Sequence, residues 1–513
     1  MMEWPILSFL IWLPIIGGLG VLVVGDRHGV RQAAVLVAAL TFIVSILLYM
    51  GYDANTGTMQ FVEVVPWINA FGIIVDYHLG VDGVSIALIL LNTFMTLLVV
   101  ISSWDSIKTR LAQYMAALLI MAGLVNGVFM SQDALLFYVF FEGLLIPLFL
   151  IIGVWGGPQR VQATIKYFLY TLLGSVFFLV SLIYLYGLAG SFYLPKLYEL
   201  NLQGGAGTMV FLSFLVAFGV KIPMWPLHTW SPDAYAEAPT GGSVMLSAIS
   251  VKVGAYAFYR LALPIVPDAA MQWDLLVVIL SLVAIVYMGL VALVQTDLKR
   301  LMAYSSAAHM GFVTLSFFLV FKLQGLGFSD TGSTGIIMSV QGGLVQMVSH
   351  GFVAGAMFLS IGVLSERMQT TQMAAFGGIV NRMPVFAALF VLFAMANVGM
   401  PGTSGFVGEF LVILASAKAH FWVAMVAATT LIISAAYTLW VVKRVIFGEI
   451  TNSEVDKISD VNLREFWVLG VLAAVILWLG IWPEHLTHLM EASIRTWMGI
   501  VAPPSSVPGT VGG

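Results

Sequence analysis

The sequence lacks cysteine entirely and has few charged residues. With no cysteine among its 513 residues, the chain has no disulfide, cysteine-ligated iron–sulfur cluster, c-type haem attachment or thiol nucleophile. Charged residues make up 9% of the chain, whereas roughly a quarter is usual in soluble proteins. The net charge of −4 gives no indication of a nucleic-acid partner. These absences exclude thiol and cluster chemistry and favour a membrane protein.

Long apolar stretches fill the rest of the chain. Hydrophobic residues account for 60% of it, in stretches of about 20 residues that can each cross a ~30 Å hydrocarbon core. The N-terminal stretch has no basic leading segment and no small-residue cleavage motif, so we expect a first span rather than a cleaved signal. The sequence predicts an all-α polytopic membrane protein with about fourteen transmembrane helices, near residues 4–24, 32–51, 82–102, 113–130, 132–154, 163–188, 207–227, 239–263, 272–294, 298–322, 334–364, 384–415, 420–446 and 465–483.

Lysine and arginine are distributed unevenly between alternate loops. If the N-terminus lies outside, the inner connections hold 14 of these residues and the outer ones 5, with Lys221 and Lys252 left inside the membrane. Because positive residues collect on the cytoplasmic side, we expect both termini to face outward. The tail VAPPSSVPGTVGG, from residue 501 onward, is rich in proline, glycine and serine and is predicted to be flexible.

Two short proline-containing segments indicate an internal repeat. VKIPM at 220–224 and VGMPG at 398–402 each place a proline deep in an apolar stretch, the second being Pro401. They lie about five spans apart, and an odd number of spans per repeat inverts its topology. We expect two inverted five-helix repeats, each with a broken helix. The predicted units are helices 1–3 in 1–112, the first repeat in 113–263, the inverted repeat in 272–446, and the last helix with its tail in 465–513.

Four ionisable residues lie deep within the predicted spans, namely Glu142, Lys221, Lys252 and Glu409. A charge at the bilayer centre costs ~2.5–3.5 kcal/mol on insertion scales, so such residues normally face a polar interior. For Glu142 and Lys252 the alternative is a structural hydrogen bond or pairing between helices. For Lys221 it is snorkelling to an interface, and for Glu409 it is a boundary carboxylate near a helix end. A set of acids and bases on successive spans indicates proton or cation conduction.

Prolines interrupt the span that carries Lys221. Pro223 and Pro226 follow this lysine closely, and a proline cannot donate to the carbonyl four residues before it. The carbonyls of Gly219 and Ile222 are therefore expected to be free beside the ammonium group. Irregular backbone at this depth is tolerated where it is buried in protein or lines a wet cavity.

Histidines and one aspartate complete the candidate set. His309 and His350 lie within spans among small or hydroxyl residues, where an imidazole can pass a proton between its two nitrogens. His228 and Asp133 lie at span boundaries and are accessory candidates. The motif EHLTH at 484–488 has HxxH spacing but no further ligands nearby, so no metal site is predicted.

Longer segments of the sequence are also informative. They are LGVDGVSIALILL at 79–91, LFYVFFEGLLIPLFLIIGVWG at 136–156, FGVKIPMWPLHTWSPDAYAEAPTGGSVMLSAISVKVGAYAFYR at 218–260, QTDLKRLMAYSSAAHMGF at 295–312 and NVGMPGTSGFVGEF at 397–410. In these segments, and along nearly its whole length, the chain resembles the family of antiporter-like subunits M of respiratory complex I. The mitochondrial counterpart of that family is subunit 4 of NADH dehydrogenase.

The resemblance implies a proton-translocating translocase subunit whose work is driven by quinone reduction elsewhere in the complex. It implies that Glu142 and Lys221 form an input-side pair and that Lys252 is a central relay. It also implies that His309 and His350 are bridging histidines and that Glu409 is the terminal exchange site. NADH, FMN, iron–sulfur clusters and quinone are expected in partner subunits and no cofactor in this chain. The implied partners are the neighbouring subunits L and N and lipids, in the bacterial inner membrane.

Three other interpretations remain open from the sequence. The nearest is the D-type subunit of a multisubunit cation/proton antiporter, which shares the fold and the Lys/Glu axis. Glu409 at the terminal position and the VDGVS and PGTSGFVGEF segments speak against it, and gene neighbourhood would distinguish the two. A stand-alone solute transporter would need a substrate cavity with recognition groups. A scaffold whose buried charges merely pair would tolerate their replacement.

Overall fold

The chain folds into a bundle of helices with one β-hairpin. The computed structural model describes residues 4–27, 29–70, 72–326, 330–450 and 452–502, and of residues 330–332 only the backbone. In this described part, thirteen helices are long and apolar enough to cross a membrane. The prediction of a polytopic, mainly helical membrane protein is confirmed. Most of the predicted flexible tail, residues 503–513, lies outside the described residues.

The first part of the chain contains one clear helix break. Its elements are α1 (Ile6–Val24), α2 (Val30–Met50), β1 (Gln60–Ala70), β2 (Ile73–Val81), α3 (Gly83–Ser102), α4 (Leu111–Met130), α5 (Ala134–Gly143), α6 (Leu145–Trp155), α7 (Arg160–Ala189), α8 (Leu194–Tyr198), α9 (Gly204–Lys221) and α10 (Ser231–Glu237). Helix α9 ends at Lys221 and not near residue 227, as the sequence had predicted, because Pro223 and Pro226 cannot supply the next helical hydrogen bonds.

The second part contains a second break and four π-helical turns. Its α-helices are α11 (Thr240–Val244), α12 (Val251–Ala257), α13 (Leu263–Ile265), α14 (Pro267–Gln272), α15 (Asp274–Val283), α16 (Gly289–Leu293), α17 (Leu298–Gln324), α18 (Asp330–Met368), α19 (Pro384–Val398), α20 (Ser404–Ala419), α21 (Phe421–Ala428), α22 (Thr430–Val441), α23 (Leu463–Ile481) and α24 (Glu484–Val501). The π-turns are Met245–Ser250, Phe258–Ala262, Ala284–Met288 and Val442–Ile446. The segment 384–415, predicted as one span, consists of α19 and α20, which Pro401 separates.

A β-hairpin lies between the second and third spans, where the sequence had predicted only a connection. Strands β1 and β2 pair antiparallel, and Gly72 in the turn has a φ of +78°, which suits glycine. Glu63 of the hairpin accepts a 2.8 Å hydrogen bond from the backbone of Leu7 at the start of α1. An isolated hairpin is marginally stable, so contacts with neighbouring helices stabilise this exception to the all-α prediction.

Helix α24 is a second element that the sequence analysis missed. Its buried residues, which include Leu486, Leu489, Ser493 and Trp497, recur at helical spacing on one face. This face packs against α3 and α18, and the Trp497 indole donates a 2.7 Å hydrogen bond to the carbonyl of Tyr259. The region after the last predicted span therefore forms a helix that closes one side of the bundle.

Three helical segments form the centre of the molecule. Thr240–Ile265, α17 and α18 are almost completely enclosed by protein, whereas α1, α2 and α23 direct most of their apolar side chains outward. Helix α18 packs against both α17 and α20. Polar groups on these central helices lie away from bulk water, so other buried groups or enclosed water must satisfy them.

Candidate functional site

Lys252 occupies the centre of the protein beside an irregular turn of helix. The π-turn Met245–Ser250 immediately precedes it, and such turns often occur at functional sites. The side chain is fully buried. Its ammonium group donates a 2.7 Å hydrogen bond to the carbonyl of Ser247 and lies 2.6 Å from Nδ1 of His350. The turn thus fixes the lysine against a titratable group on a different helix.

A second pair lies next to the first. Nδ1 of His309, on α17, is 2.5 Å from Oε1 of Glu409, and the amide of Gln346 donates a 2.9 Å hydrogen bond to the same oxygen. The imidazole rings of His309 and His350 have centroids 5.9 Å apart. The structure therefore places Lys252, His350, His309 and Glu409 in one buried row across four helical segments.

A small cavity lies along this row. His309, His350, Gln346, Asn397 and Glu409 are among the residues that line it, and the volume open to the centre of a water molecule is about 10 Å³. That volume is close to the least that holds one water. Nε2 of His350 and Oε2 of Glu409 are buried and have no hydrogen-bond partner in the described protein. Buried polar atoms of this kind are normally satisfied by water, which fits a hydrated link between the two pairs.

The other two candidates lie together at the first helix break. Lys221 is the last residue of α9 and is buried, with its ammonium 4.9 Å from the centroid of the Phe141 ring. Glu142 is the next residue after that phenylalanine, is half-buried, and lies beside Ser175. In the described structure Glu142 and Lys221 do not form a direct ion pair, although they are near neighbours. A cation–π contact takes the place of that pairing.

The expected free carbonyl beside Lys221 is not free. The backbone amide of Met224 donates a 2.8 Å hydrogen bond to Gly219, and the Trp230 indole donates a 2.9 Å bond to Val220. The Met224 amide, the first beyond Pro223, reaches back five residues and bonds the carbonyl that the proline leaves open. The prediction of an open acceptor at Gly219 was wrong, and the break is a hydrogen-bonded turn.

No side chain of the described structure connects the first pair directly to Lys252. Helices α9 and α12 are nevertheless in close contact, since a Cβ added to Gly254 would lie 2.9 Å from Cβ of Lys221. The hydroxyls of Ser247 and Ser250, on the turn before Lys252, are buried without a described partner. The structure brings four of the six main candidates into one row and leaves Glu142 and Lys221 as a separate neighbouring group.

Comparison with known proteins identifies the family. The sequence model of one protein family, described as NADH:quinone oxidoreductase/Mrp antiporter, transmembrane, matches residues 131–434, which is more than half of the chain. The chain belongs to this antiporter family. It is 45% identical over 508 residues to NADH-quinone oxidoreductase subunit M of Rhodobacter capsulatus, and the match covers 95% of each protein. It is 37% identical to NADH-ubiquinone oxidoreductase chain 4 of Marchantia polymorpha, covering 95% of this chain and 96% of that one. The predicted resemblance is confirmed.

Solved structures agree with this assignment. A chain of respiratory complex I from Thermus thermophilus with bound NADH superimposes with a TM-score of 0.85 at 29% identity, covering 96% of this chain and 99% of that one. A chain of the Mrp complex from Dietzia has a TM-score of 0.81 at 20% identity, with coverage of 96% and 52%, and shows the shared fold alone. The antiporter family, the subunit M relatives and the complex I structure support a multi-pass, proton-translocating membrane subunit.

The two accessory candidates lie in different surroundings. Asp133 begins α5, where one carboxylate oxygen accepts hydrogen bonds from the amides of Leu135 and Leu136 at 2.9 and 3.0 Å. Burial raises the pKa of Asp133 to about 6 because desolvation disfavours the charged form. This geometry is that of a helix cap. His228 lies in the turn after α9 against the rings of Tyr287 and Tyr304.

Several buried polar groups were missed in the sequence. Arg260, counted among the outer loop residues, is buried and pairs with Asp82 at 2.5 Å. Lys299, counted among the inner loop residues, is buried and donates a 2.7 Å hydrogen bond to the carbonyl of Ala238. Tyr437, on α22, lies beside His309 of α17. These residues sit at span ends or in ordinary amphipathic surroundings, so no sequence signal separated them from loop or packing residues. Among the described residues, no cluster of three or more His, Cys, Asp or Glu is placed to hold a metal ion.

Proposed function

We propose that the chain is a proton-translocating membrane subunit of an NADH:quinone oxidoreductase and moves protons through its lateral row of buried Glu, Lys and His side chains. The observation that carries the proposal is the row itself. The Lys252 ammonium contacts His350, and His309 contacts Glu409, all within the enclosed centre of the bundle. The amine is at hydrogen-bond distance from one imidazole, and the carboxylate from the other, so each pair can exchange a proton.

The two helix breaks divide this function between two halves. The first half, residues 113–263, carries Glu142 and Lys221 at the break that Pro223 and Pro226 cause. The second half, residues 272–446, is the inverted repeat in this proposal, and Pro401 causes its break eight residues before Glu409. Lys252 belongs to the first half, contacts His350 of the second half, and receives protons from the Lys221 side. Water links the groups that lack direct contact.

The proposed assembly follows from the subunit M relatives. The chain works as part of a translocase, beside other membrane subunits and especially antiporter-like subunits L and N, in contact with lipid in the bacterial inner membrane. NADH oxidation on FMN, the iron–sulfur clusters and quinone reduction belong to partner subunits. This chain contributes no redox centre, and its proton transfer is driven by the chemistry in those partners.

Replacement of Lys252 in the assembled complex tests the proposal. Lys252→Met should lower NADH-driven proton uptake into inverted membrane vesicles by about a hundredfold, the scale of a lost general acid–base group. Lys252→Arg should lower proton uptake by a similar factor, because a guanidinium keeps the positive charge but does not release its proton at physiological pH. Lys457→Met is the matched control, since Lys457 is an exposed residue in a surface ion pair.

The outcomes separate the proposal from its rivals. Full pumping by both Lys252 variants would support a scaffold in which the buried charges merely pair. Proton movement that is driven by a Na⁺ gradient without NADH, and lost in Lys252→Met, would support the D-type subunit of a cation/proton antiporter. The overlap of the Mrp structure with this chain makes the second comparison necessary.

A further inference from the structure

Tyr437 is a buried tyrosine at the terminal end of the row to which the proposed mechanism gives no role. It lies on α22, is 1% exposed, and its hydroxyl is 3.4 Å from Nε2 of His309. Since Nδ1 of that histidine contacts Glu409 at 2.5 Å, both ring nitrogens are engaged. One nitrogen faces an acid of the row and the other faces a neutral hydroxyl.

The tyrosine hydroxyl belongs to a short hydrogen-bonded chain. It lies 2.8 Å from the hydroxyl of Ser305, which is one helical turn before His309 on α17. The side-chain amide of Asn397 donates to Ser305 at 3.3 Å and to Thr438 at 3.1 Å. Ser305 and Asn397 are buried as well. The chain ends at Asn397, which lies next to the second helix break.

The chemistry of these groups sets a direction for the chain. An amide N–H can only donate, so with Asn397 donating, the Ser305 hydroxyl is free to donate to Tyr437. The tyrosine proton then points at Nε2 of His309. A neutral imidazole that accepts at Nε2 carries its hydrogen on Nδ1, which is the nitrogen that faces Glu409.

We propose that Tyr437, oriented by Ser305 and Asn397, is a positioning residue that holds His309 with its Nδ1 proton directed at Glu409. This inference rests on the proposed function and adds the group that sets the histidine tautomer. A proton arriving from the Lys252 and His350 side first binds at Nε2, and Tyr437 then accepts a hydrogen bond from the new N–H group. In the transfer step, the N–H bond at Nδ1 of this imidazolium breaks and an O–H bond forms at Oε1 of Glu409. Relocation of the remaining ring hydrogen from Nε2 to Nδ1, with Tyr437 donating again, restores the starting state.

Reversal of the hydrogen-bonded chain is allowed by the geometry. The Ser305 hydroxyl also lies 3.5 Å from the side-chain oxygen Oδ1 of Asn397, to which it can donate when Tyr437 donates to Ser305. The titratable or charged groups around His309 are Glu409 on α20, His350 on α18 and Tyr437 on α22, with Lys252 behind His350. The same side chains therefore accommodate the neutral and the protonated histidine without moving a helix.

Tyr437→Phe in the assembled complex tests this role, because it removes the hydroxyl and keeps the ring. NADH-driven proton uptake should fall about three- to tenfold, the equivalent of one lost hydrogen bond. The solvent deuterium isotope effect on uptake should rise, since proton transfer becomes slower relative to the other steps. Ser305→Ala should change both quantities in the same direction by a smaller factor. Tyr184→Phe, on the exposed face of α7, is the control and should match the unmodified protein.

Different results overturn the two proposals. An unchanged rate and isotope effect in Tyr437→Phe and Ser305→Ala, with Lys252→Met inactive, would refute the positioning role and leave the proposed function standing. A lower rate with an unchanged isotope effect would show a purely structural role and would also refute it. If Tyr437→Phe prevents assembly, as seen on a native gel, Ser305→Ala alone decides, and an unchanged isotope effect in that variant refutes the role. Normal pumping by Lys252→Met would instead refute the proposed function itself.

Discussion

At the scale of single residues, this chain buries two chemically different kinds of polar contact. Arg260 and Asp82 form a close ion pair that is also bonded to Tyr256 and Ser85, so every charge has a fixed partner. Lys252 meets an imidazole instead of a carboxylate, so its proton has somewhere to go. The first kind suits a structural contact and the second suits transfer, because an imidazole can accept a proton at one ring nitrogen and release one from the other.

Breaking the structural pair should destabilise the protein. Arg260→Met leaves Asp82 buried without its partner, at a cost of about 3–5 kcal/mol. The melting temperature of the purified complex should fall clearly. Asp82 caps α3 by accepting a 2.9 Å hydrogen bond from the amide of Ser85. Adding Asp82→Asn should recover part of the loss, since asparagine can keep this cap and removes the unpaired charge. Glu454→Gln, which breaks an exposed pair, should change little. A double variant less stable than Arg260→Met alone would contradict this account.

At the scale of elements, close helix packing holds the row together. Glycines allow helix α20 to approach α18 so closely that a Cβ added to Gly408 would lie 2.7 Å from the backbone of Gln346. That contact brings Glu409 within reach of both Gln346 and His309. Proline and glycine therefore have complementary effects here. Pro401 ends one helix, and Gly408 lets the next one pack against the centre.

Gly408→Ala should separate these helices and disturb the terminal contact. The added methyl group would collide with backbone atoms of Gln346, and rotation of a side chain cannot relieve a collision with backbone. We expect NADH-driven proton uptake to fall about tenfold or more, since small displacements of reacting groups are costly. Gly470→Ala in α23, where an added Cβ meets nothing within 4 Å, should leave uptake unchanged. Equal activity of the two variants would show that the close approach is not needed.

At the scale of the whole molecule, one side of the bundle is closed by the elements that the sequence analysis missed. The connection before the β-hairpin contacts α24, since a Cβ on Gly57 would lie 2.5 Å from the carbonyl of Ala492. Helix α24 also covers the start of α3, where Gly83 donates a 3.0 Å hydrogen bond to Ser493. These elements lie on the side with few lysines and arginines, which is the outer side in the proposed orientation.

Introduced cysteines can test that orientation directly, because the chain has none of its own. Thr58→Cys and Ser453→Cys place single thiols at exposed positions in the connections after α2 and before α23. In intact cells a membrane-impermeant maleimide should label Thr58→Cys, and it should label Ser453→Cys only in inverted vesicles. The unsubstituted chain is the background control. The reverse pattern would invert the proposed topology.

The sequence alone determined the membrane class, most span positions, the two helix breaks and the four ionisable residues deep within the spans. Each follows from local rules, because span length, proline chemistry and the cost of a buried charge do not depend on distant contacts. Only the tertiary structure decided which charges meet. It paired Lys252 with His350 and His309 with Glu409. It also supplied a hydrogen-bond donor for the carbonyl of Gly219 and buried Arg260. These outcomes depend on how helices far apart in the sequence pack, and no local pattern encodes that packing.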